Sequence, residues 1–247
     1  LTGVQSLTAA AVITPETILS PGIVDIDGGR IVGVREGGLG ATAATLVPGF
    51  VDVQVNGIGD VNVADAKDDD WTYLDQRLVA QGVTAWCPTL VTAPLDSYAE
   101  PLRRMSDAAA RTGARPAILG AHLEGPFLGG APGAHPVELL VPLDAGWLRD
   151  LPPIVRLITI APELDGSPGV IAMLGERGIV VSLGHSTATY EQTLAAVDAG
   201  ARMVTHLFNG MGPLHHRQPG LLGTALTEPR LAAGLIADLV HAHPVAL

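Results

Sequence analysis

The sequence holds one cysteine, Cys87, and, among its 14 basic residues, one lysine, Lys67. A single thiol excludes a disulfide framework and a CxxC zinc site. Within AWCPTLV it reads as a small buried residue. Lys67 stands in the run DAKDDD (65–70), so lysine Schiff-base chemistry and a Walker-type phosphate loop both lack their setting. That run also lacks the spaced glycine and distal glutamate of a calcium loop; Asp65, Asp68, Asp69 and Asp70 read as a solvated helix start. Charged residues are few, 16%, and their balance is −11. No nucleic-acid or anionic-membrane partner is expected, since both need a basic surface. No run approaches the ~20 apolar residues of a membrane span. The first residues show no signal-peptide pattern, so a cytoplasmic location is expected. What is plentiful is apolar residues, 47%, enough for a large core and against disorder.

Residues 1–47 are expected to form a small β domain, with β-branched runs and a hairpin turn at Asp27-Gly28-Gly29. From 48 to 247 strand-like runs alternate with helical patterns. Strands are expected over 49–57, 82–91, 116–127, 155–163, 178–186, 203–209 and 231–241, with helices near 71–81, 96–112, 144–150, 168–177, 187–199 and 219–227. Near-continuous apolar strands separated by helices specify a parallel sheet covered by helices. Polar residues recur at strand C-terminal ends: Gln54 and Asn56, Glu124, His185, His206 and Asn209, Asp238 and His241. Barrel active sites are built in that way, so the α/β class expected is a (β/α)₈ barrel. Seven strands are counted, not eight.

Strand alternation sends His122 and Glu124 to one face. Glu124, His185 and His206 all fall at strand ends, where a barrel converges them. A carboxylate and two neutral imidazoles make a zinc-type catalytic ligand set. His122 is expected to orient Glu124 rather than to bind metal. Anion donors are concentrated in NGMGPLHHRQPG (209–220): Asn209, the Gly210 amide and the Arg217 guanidinium. His135, in GAHP, reads on its own as an exposed loop histidine, and His243 as a surface one.

The segments PGFVDVQVNG, HLEGPF, GAHP, SLGHS and THLFNGM, in this order, resemble the N-acetylglucosamine-6-phosphate deacetylase family of the amidohydrolase superfamily. The resemblance runs from Gly3 to His241 and implies a TIM barrel plus a β-sandwich built from both chain ends. Here that means a truncated barrel domain over 48–247, lacking its eighth strand, and half of a sandwich over 1–47. It makes Glu124, His185 and His206 the metal ligands, and Gln54 and Asn56 the vestiges of a second metal position. One divalent ion is implied, Zn²⁺ first, with Fe²⁺, Mn²⁺ and Co²⁺ also suited. His135 is assigned a catalytic role, hydrogen-bonding the amide carbonyl or a sugar hydroxyl. Asn209, Gly210, Arg217 and His241 are assigned to the sugar phosphate, with the arginine acting in its own or a neighbouring subunit of a full-length homodimer or homotetramer.

The implied reaction converts N-acetylglucosamine 6-phosphate to glucosamine 6-phosphate and acetate. The family's general base, an aspartate ending the eighth strand, is not found in this chain. Asp238 belongs to a DxxH motif of the seventh strand, where Leu239 replaces the usual glycine. The chain is therefore expected to be a fragment with impaired catalysis. Two alternatives remain open: another amidohydrolase (an N-acyl deacylase or cyclic amidase), and a non-catalytic fragment that binds metal or sugar phosphate.

Overall fold

Short β-branched runs build the N-terminal unit, Leu1–Phe50, of a computed structural model that describes residues 3–38 and 42–247. Strands β1 (Gln5–Ile13), β2 (Ile18–Leu19), β3 (Gly22–Asp27), β4 (Arg30–Glu36) and β5 (Thr42–Leu46) share one sheet. Its order is β2-β1-β3-β4, with β5 parallel to β1. The β3–β4 hairpin turns at Gly28 and Gly29, φ +55° and +78°. Two left-handed residues match the twist of the flanking strands, and glycine adopts both freely. Ala9, Val12 and Val24 form its small core.

The second unit spans Val51–Leu247, three residues later than the expected boundary. It begins within β6 (Phe50–Val55) and continues through the β7 (Gly57–Ile58) and β8 (Val61–Asn62) hairpin. Then come α1 (Asp69–Ala80), β9 (Val83–Val91), α2 (Ala99–Ala109), β10 (Ala117–Ile118), β11 (Ala121–Glu124) and α3 (Ala145–Arg149). The rest alternates: β12 (Val155–Ile160), α4 (Ser167–Glu176), β13 (Val180–Leu183), α5 (Tyr190–Asp198), β14 (Met203–Val204), α6 (Gly220–Thr227), β15 (Ala232–Ala233). The sheet runs β10-β9-β11-β12-β13-β14-β15, with β6 also on β9. Its ladders from β10 to β15 are parallel, and the sheet is curled into part of a barrel.

Helical spacing explains the layer outside the sheet. In α1 the buried Trp71, Leu74 and Leu78, and in α2 the buried Leu102, Met105 and Ala108, fall on one face. Trp86, Phe127, Ile158, Ile160, Ile171 and Leu183 are among the fully buried side chains between layers. Each such burial stabilises by about 1.5–3 kcal/mol.

Most strands are shorter than expected: the run 116–127 is split into β10 and β11, 155–163 ends at Ile160, and three more stop for local reasons. β13 stops before His185 and β14 before His206, because both residues turn left-handed, at φ +49° and +34°. The run 231–241 is extended only at Ala232–Ala233. Asp238 Oδ1 accepts from the amides of Val240 and His241 and folds that segment into a turn instead. Asp238 is thus not on a strand. Among the described residues, no helix is long and apolar enough to cross a membrane.

Candidate active site

Four neighbouring strands of the curled sheet, β11 to β14, deliver polar groups to one end. All four residues of β11 are buried, and alternation points His122 and Glu124 inward. His185 and His206 follow β13 and β14 directly. Their left-handed backbones cost about 1 kcal/mol each, a strain that marks functional sites.

The side chains meet closely. Glu124 Oε1 lies 3.1 Å from His185 Nε2 and 3.0 Å from His206 Nε2, and the two Nε2 atoms are 2.9 Å apart. Each imidazole is held from behind. His185 Nδ1 is 3.1 Å from the Ala131 carbonyl, and His206 Nδ1 is 3.0 Å from that of Asn209. A carbonyl only accepts, so both Nδ1 atoms carry protons, and Nε2 is the nitrogen each ring has left to offer a metal ion. Three electron-rich atoms about 3 Å apart repel one another unless a cation lies among them. A single proton can bridge one of these contacts but not all three, and two N–H groups would collide across 2.9 Å. One divalent ion does fit. A triangle of this size has a circumradius of about 1.7 Å, within the ~2.0–2.2 Å reach of zinc–nitrogen and zinc–oxygen bonds.

His135 closes the group from the loop after β11. It is buried, not exposed as its loop position suggested. Its Nε2 lies 3.8 Å from Glu124 Oε2, and its ring packs edge-on to His185, with centroids 4.3 Å apart. Glu124, His135 and His185 by themselves place ligand-type atoms within 4.8 Å of one another. His206 is nearer than His135 to Glu124, and we take the 3 Å triangle as the tighter set. Burial, then the neighbouring His185, push the His135 imidazole down to about 4, against the pull of Glu124. His122 lies beneath, fully buried, and desolvation pushes it down to about 4.

Gln54 proves to be more than a vestige. Its Nε2 donates to Glu124 Oε1 at 2.7 Å, fixing the carboxylate. Asn56 is exposed and lines a cavity of about 370 Å³ with Asp60, Asn62 and Thr89. Asn209 and Gly210 adjoin the cluster. The Asn209 carbonyl holds His206, while the Asn209 side chain reaches back to Leu207 O at 3.4 Å. Gly210, at φ +58°, has no room for a side chain: a Cβ there would lie 2.9 Å from His185 Nδ1 and 3.1 Å from His206 Cε1. Arg217 and His241 are not brought to the cluster among the described residues. Both are exposed, and His241 Nδ1 pairs with Asp238 Oδ2 at 2.7 Å. His215 packs against His216, and His243 caps a short turn.

Two residues escaped the sequence reading. Glu163, just past β12, accepts from the amides of Gly130 and Thr187 at 3.0 and 2.9 Å and from Ser186 Oγ. It ties the loop leading to His135 to the turn after His185. The signal was available: an acid at a strand C-terminal end, as with Glu124. Thr92 Oγ1 lies 2.7 Å from His135 Nδ1, in space left by Gly125, where a Cβ would fall 2.1 Å from that oxygen.

A curled parallel sheet with a buried Glu/His/His cluster at its strand ends defines a protein of the amidohydrolase type. Sequence narrows the class. The chain is 40% identical over 210 residues to N-acetylgalactosamine-6-phosphate deacetylase of Escherichia coli O157:H7, covering 83% of this chain and 56% of that protein. It is 43% identical over 219 residues to the human N-acetylglucosamine-6-phosphate deacetylase, covering 82% and 53%. A variant of the Mycobacterium smegmatis enzyme, solved in complex with N-acetyl-D-glucosamine 6-phosphate, superposes with a TM-score of 0.84 at 38% identity, over 98% of this chain and 66% of that one. No family profile matches the chain. By sequence and fold, the chain is a homologue of the N-acetylglucosamine-6-phosphate deacetylases, and it spans about half the length of the curated relatives it matches.

Proposed function

We propose that these residues form the metal-holding part of a deacetylase that removes the acetyl group from an N-acetylated amino-sugar 6-phosphate. The observation that carries this reading is the triangle of Glu124, His185 and His206, three metal-ligand-type atoms about 3 Å apart, with both Nδ1–H groups turned away to carbonyls. These three residues would hold one divalent ion, zinc first among N/O-binding metals. When bound, such an ion supplies an activated water and polarises the amide carbonyl.

The chain's own residues do the rest. Gln54 holds Glu124 by its amide and keeps that carboxylate oriented. His135 is neutral near pH 7. A proton donated from Thr92 to its Nδ1 leaves Nε2–H free to bond the amide oxygen. Gly210 and Asn209, which adjoin His185 and His206, would contact the sugar phosphate. Arg217 is exposed, and in an oligomer it would be free to serve the phosphate of a neighbouring subunit. Apart from Glu124, no carboxylate among the described residues joins the cluster. We assign the general base and the remainder of the barrel to the part of the relatives' length that these 247 residues do not span.

Metal analysis tests the reading. The purified chain should bind one equivalent of Zn²⁺ or Co²⁺, and E124Q, H185A and H206A should each abolish tight binding, while H135A should retain it. Thermal shifts of the Zn²⁺-loaded chain should be larger with N-acetylglucosamine 6-phosphate than with N-acetylglucosamine. Retention of the ion by H206A with its loss in H135A would replace His206 by His135 in the ligand set. Equal shifts with both sugars would remove the phosphate from the reading.

A further inference from the structure

One layer below the cluster, four buried side chains join hands across the sheet. Ser182 Oγ of β13 is 2.6 Å from Thr205 Oγ1, just past β14; that atom is 2.7 Å from Thr159 Oγ1 of β12. Thr159 Oγ1 is 2.8 Å from His122 Nε2 of β11, and His122 Nδ1 is 3.0 Å from the Val53 carbonyl of β6. All four side chains are buried, Thr159 completely and none more than 4% exposed.

The direction of every bond follows from the last one. The Val53 carbonyl can only accept, so His122 Nδ1 donates and its Nε2 is bare. The Thr159 hydroxyl must then donate to Nε2. Having one proton, Thr159 can only accept from Thr205, and Thr205 only from Ser182. The chain is therefore a single one-way series with no alternative arrangement. It also touches each strand that supplies the cluster. Val53 precedes Gln54, His122 is two residues before Glu124, Ser182 three before His185, and Thr205 one before His206.

We infer that Ser182, Thr205, Thr159 and His122 are positioning residues that lock the relative depth of the strands and so hold Glu124, His185 and His206 at metal-binding distance. The inference rests on the metal reading above. Strands in a parallel sheet are already held edge to edge by backbone ladders. These ladders leave the inward tilt of each strand end to side-chain contacts, and here those contacts are directional hydrogen bonds. Thr159 is the decisive member because it is central. Thr159→Val keeps shape but leaves a buried imidazole acceptor and a buried Thr205 donor without partners, the costly half of a broken hydrogen bond. Loss of a direct hydrogen-bond partner of a metal ligand weakens binding by about 10–100-fold; Thr159 acts one step further out, so the low end of that range is expected.

The test compares Co²⁺ affinity, by chelator competition and by the visible spectrum of the bound ion, in the unsubstituted chain, T159V, T159S and T193V. Thr193 is as buried as Thr159, but its hydroxyl bonds Thr189 O within α5, so T193V controls for loss of a buried hydroxyl alone. Circular dichroism verifies that each variant is folded at the temperature used. The expected result is about a tenfold loss of affinity and an altered spectrum in T159V, recovery in T159S, and no change in T193V. Equal affinities and spectra for T159V and the unsubstituted chain overturn the positioning role alone. A loss in T193V matching that in T159V does so too. Failure of the unsubstituted chain to bind Co²⁺ overturns the metal reading, and the positioning role with it. If T159V does not fold, the same comparison is made with S182A, the end of the series.

Discussion

Leu239 stands where a glycine is usual in the resembling motif, and its backbone is left-handed at φ +64° with 61% of the residue exposed. A non-glycine residue pays about 1–2 kcal/mol for that conformation, and nothing is gained by burial. Glycine returns part of that as unfolded-state freedom. L239G should therefore raise stability by about 0.5–1 kcal/mol, read as a higher urea midpoint; a lower midpoint would show that the leucine side chain contributes there. At this scale the sequence was partly legible. Glu124, His185 and His206 announce themselves because a polar residue ending an apolar run is conspicuous. Gln54 was judged only as a metal ligand, for which an amide is poor, so its use as a donor to Glu124 was not foreseen. Glu163 was passed over although it ends the expected 155–163 strand, as Glu124 ends its own run.

The elements owe their limits to a few side chains. Helix α5 begins with a capping box: Thr189 Oγ1 accepts from the Gln192 amide, and the Gln192 side chain accepts from the Thr189 amide. T189A should cost about 1 kcal/mol. Because α5 follows the His185 turn, the loss should be visible as faster amide exchange in its first turn; unchanged exchange would mean that packing alone holds the helix start. The helices were legible to within a few residues, since their period and caps are local. Strand ends were less so. β13 and β14 stop where a backbone turns left-handed at a histidine, and β15 where Asp238 captures two amides. The buried Ser182–His122 series was invisible. Serine and threonine inside apolar strands look like neutral spacers until strand register brings them together.

For the molecule as a whole, the buried weak acids set an alkaline limit. Burial, aided by the charge of Asp52, pushes the Cys87 thiol from 9.0 up to about 11. Burial pushes the Tyr98 hydroxyl from 10.0 up to about 12, against the hydrogen bond from Ala93. Above these ordinary values the unfolded chain releases protons that the folded one retains. Stability is therefore full below pH 9 and falls as pH rises to about 11 and 12, by at most roughly 2–3 kcal/mol per group. Urea midpoints should decline from pH 9 upward, and C87A should delay the decline; a flat profile would show that neither group is shielded. The architecture was the most legible level of all. Seven apolar segments separated by helical ones leave few ways to fold, whereas the boundary between units depends on packing that no single segment encodes.

Glu124, His185 and His206 come from points 61 and 21 residues apart along the chain. An ion gripping all three would act as a cross-link over two long loops, present only in the folded state. Its affinity and the protein's resistance to unfolding would then be one quantity seen from two sides. At a hundredfold excess over Kd the ion adds about 2.7 kcal/mol. Stripping it with a chelator should lower Tm and loosen the strand ends first, leaving the far end of the sheet for last.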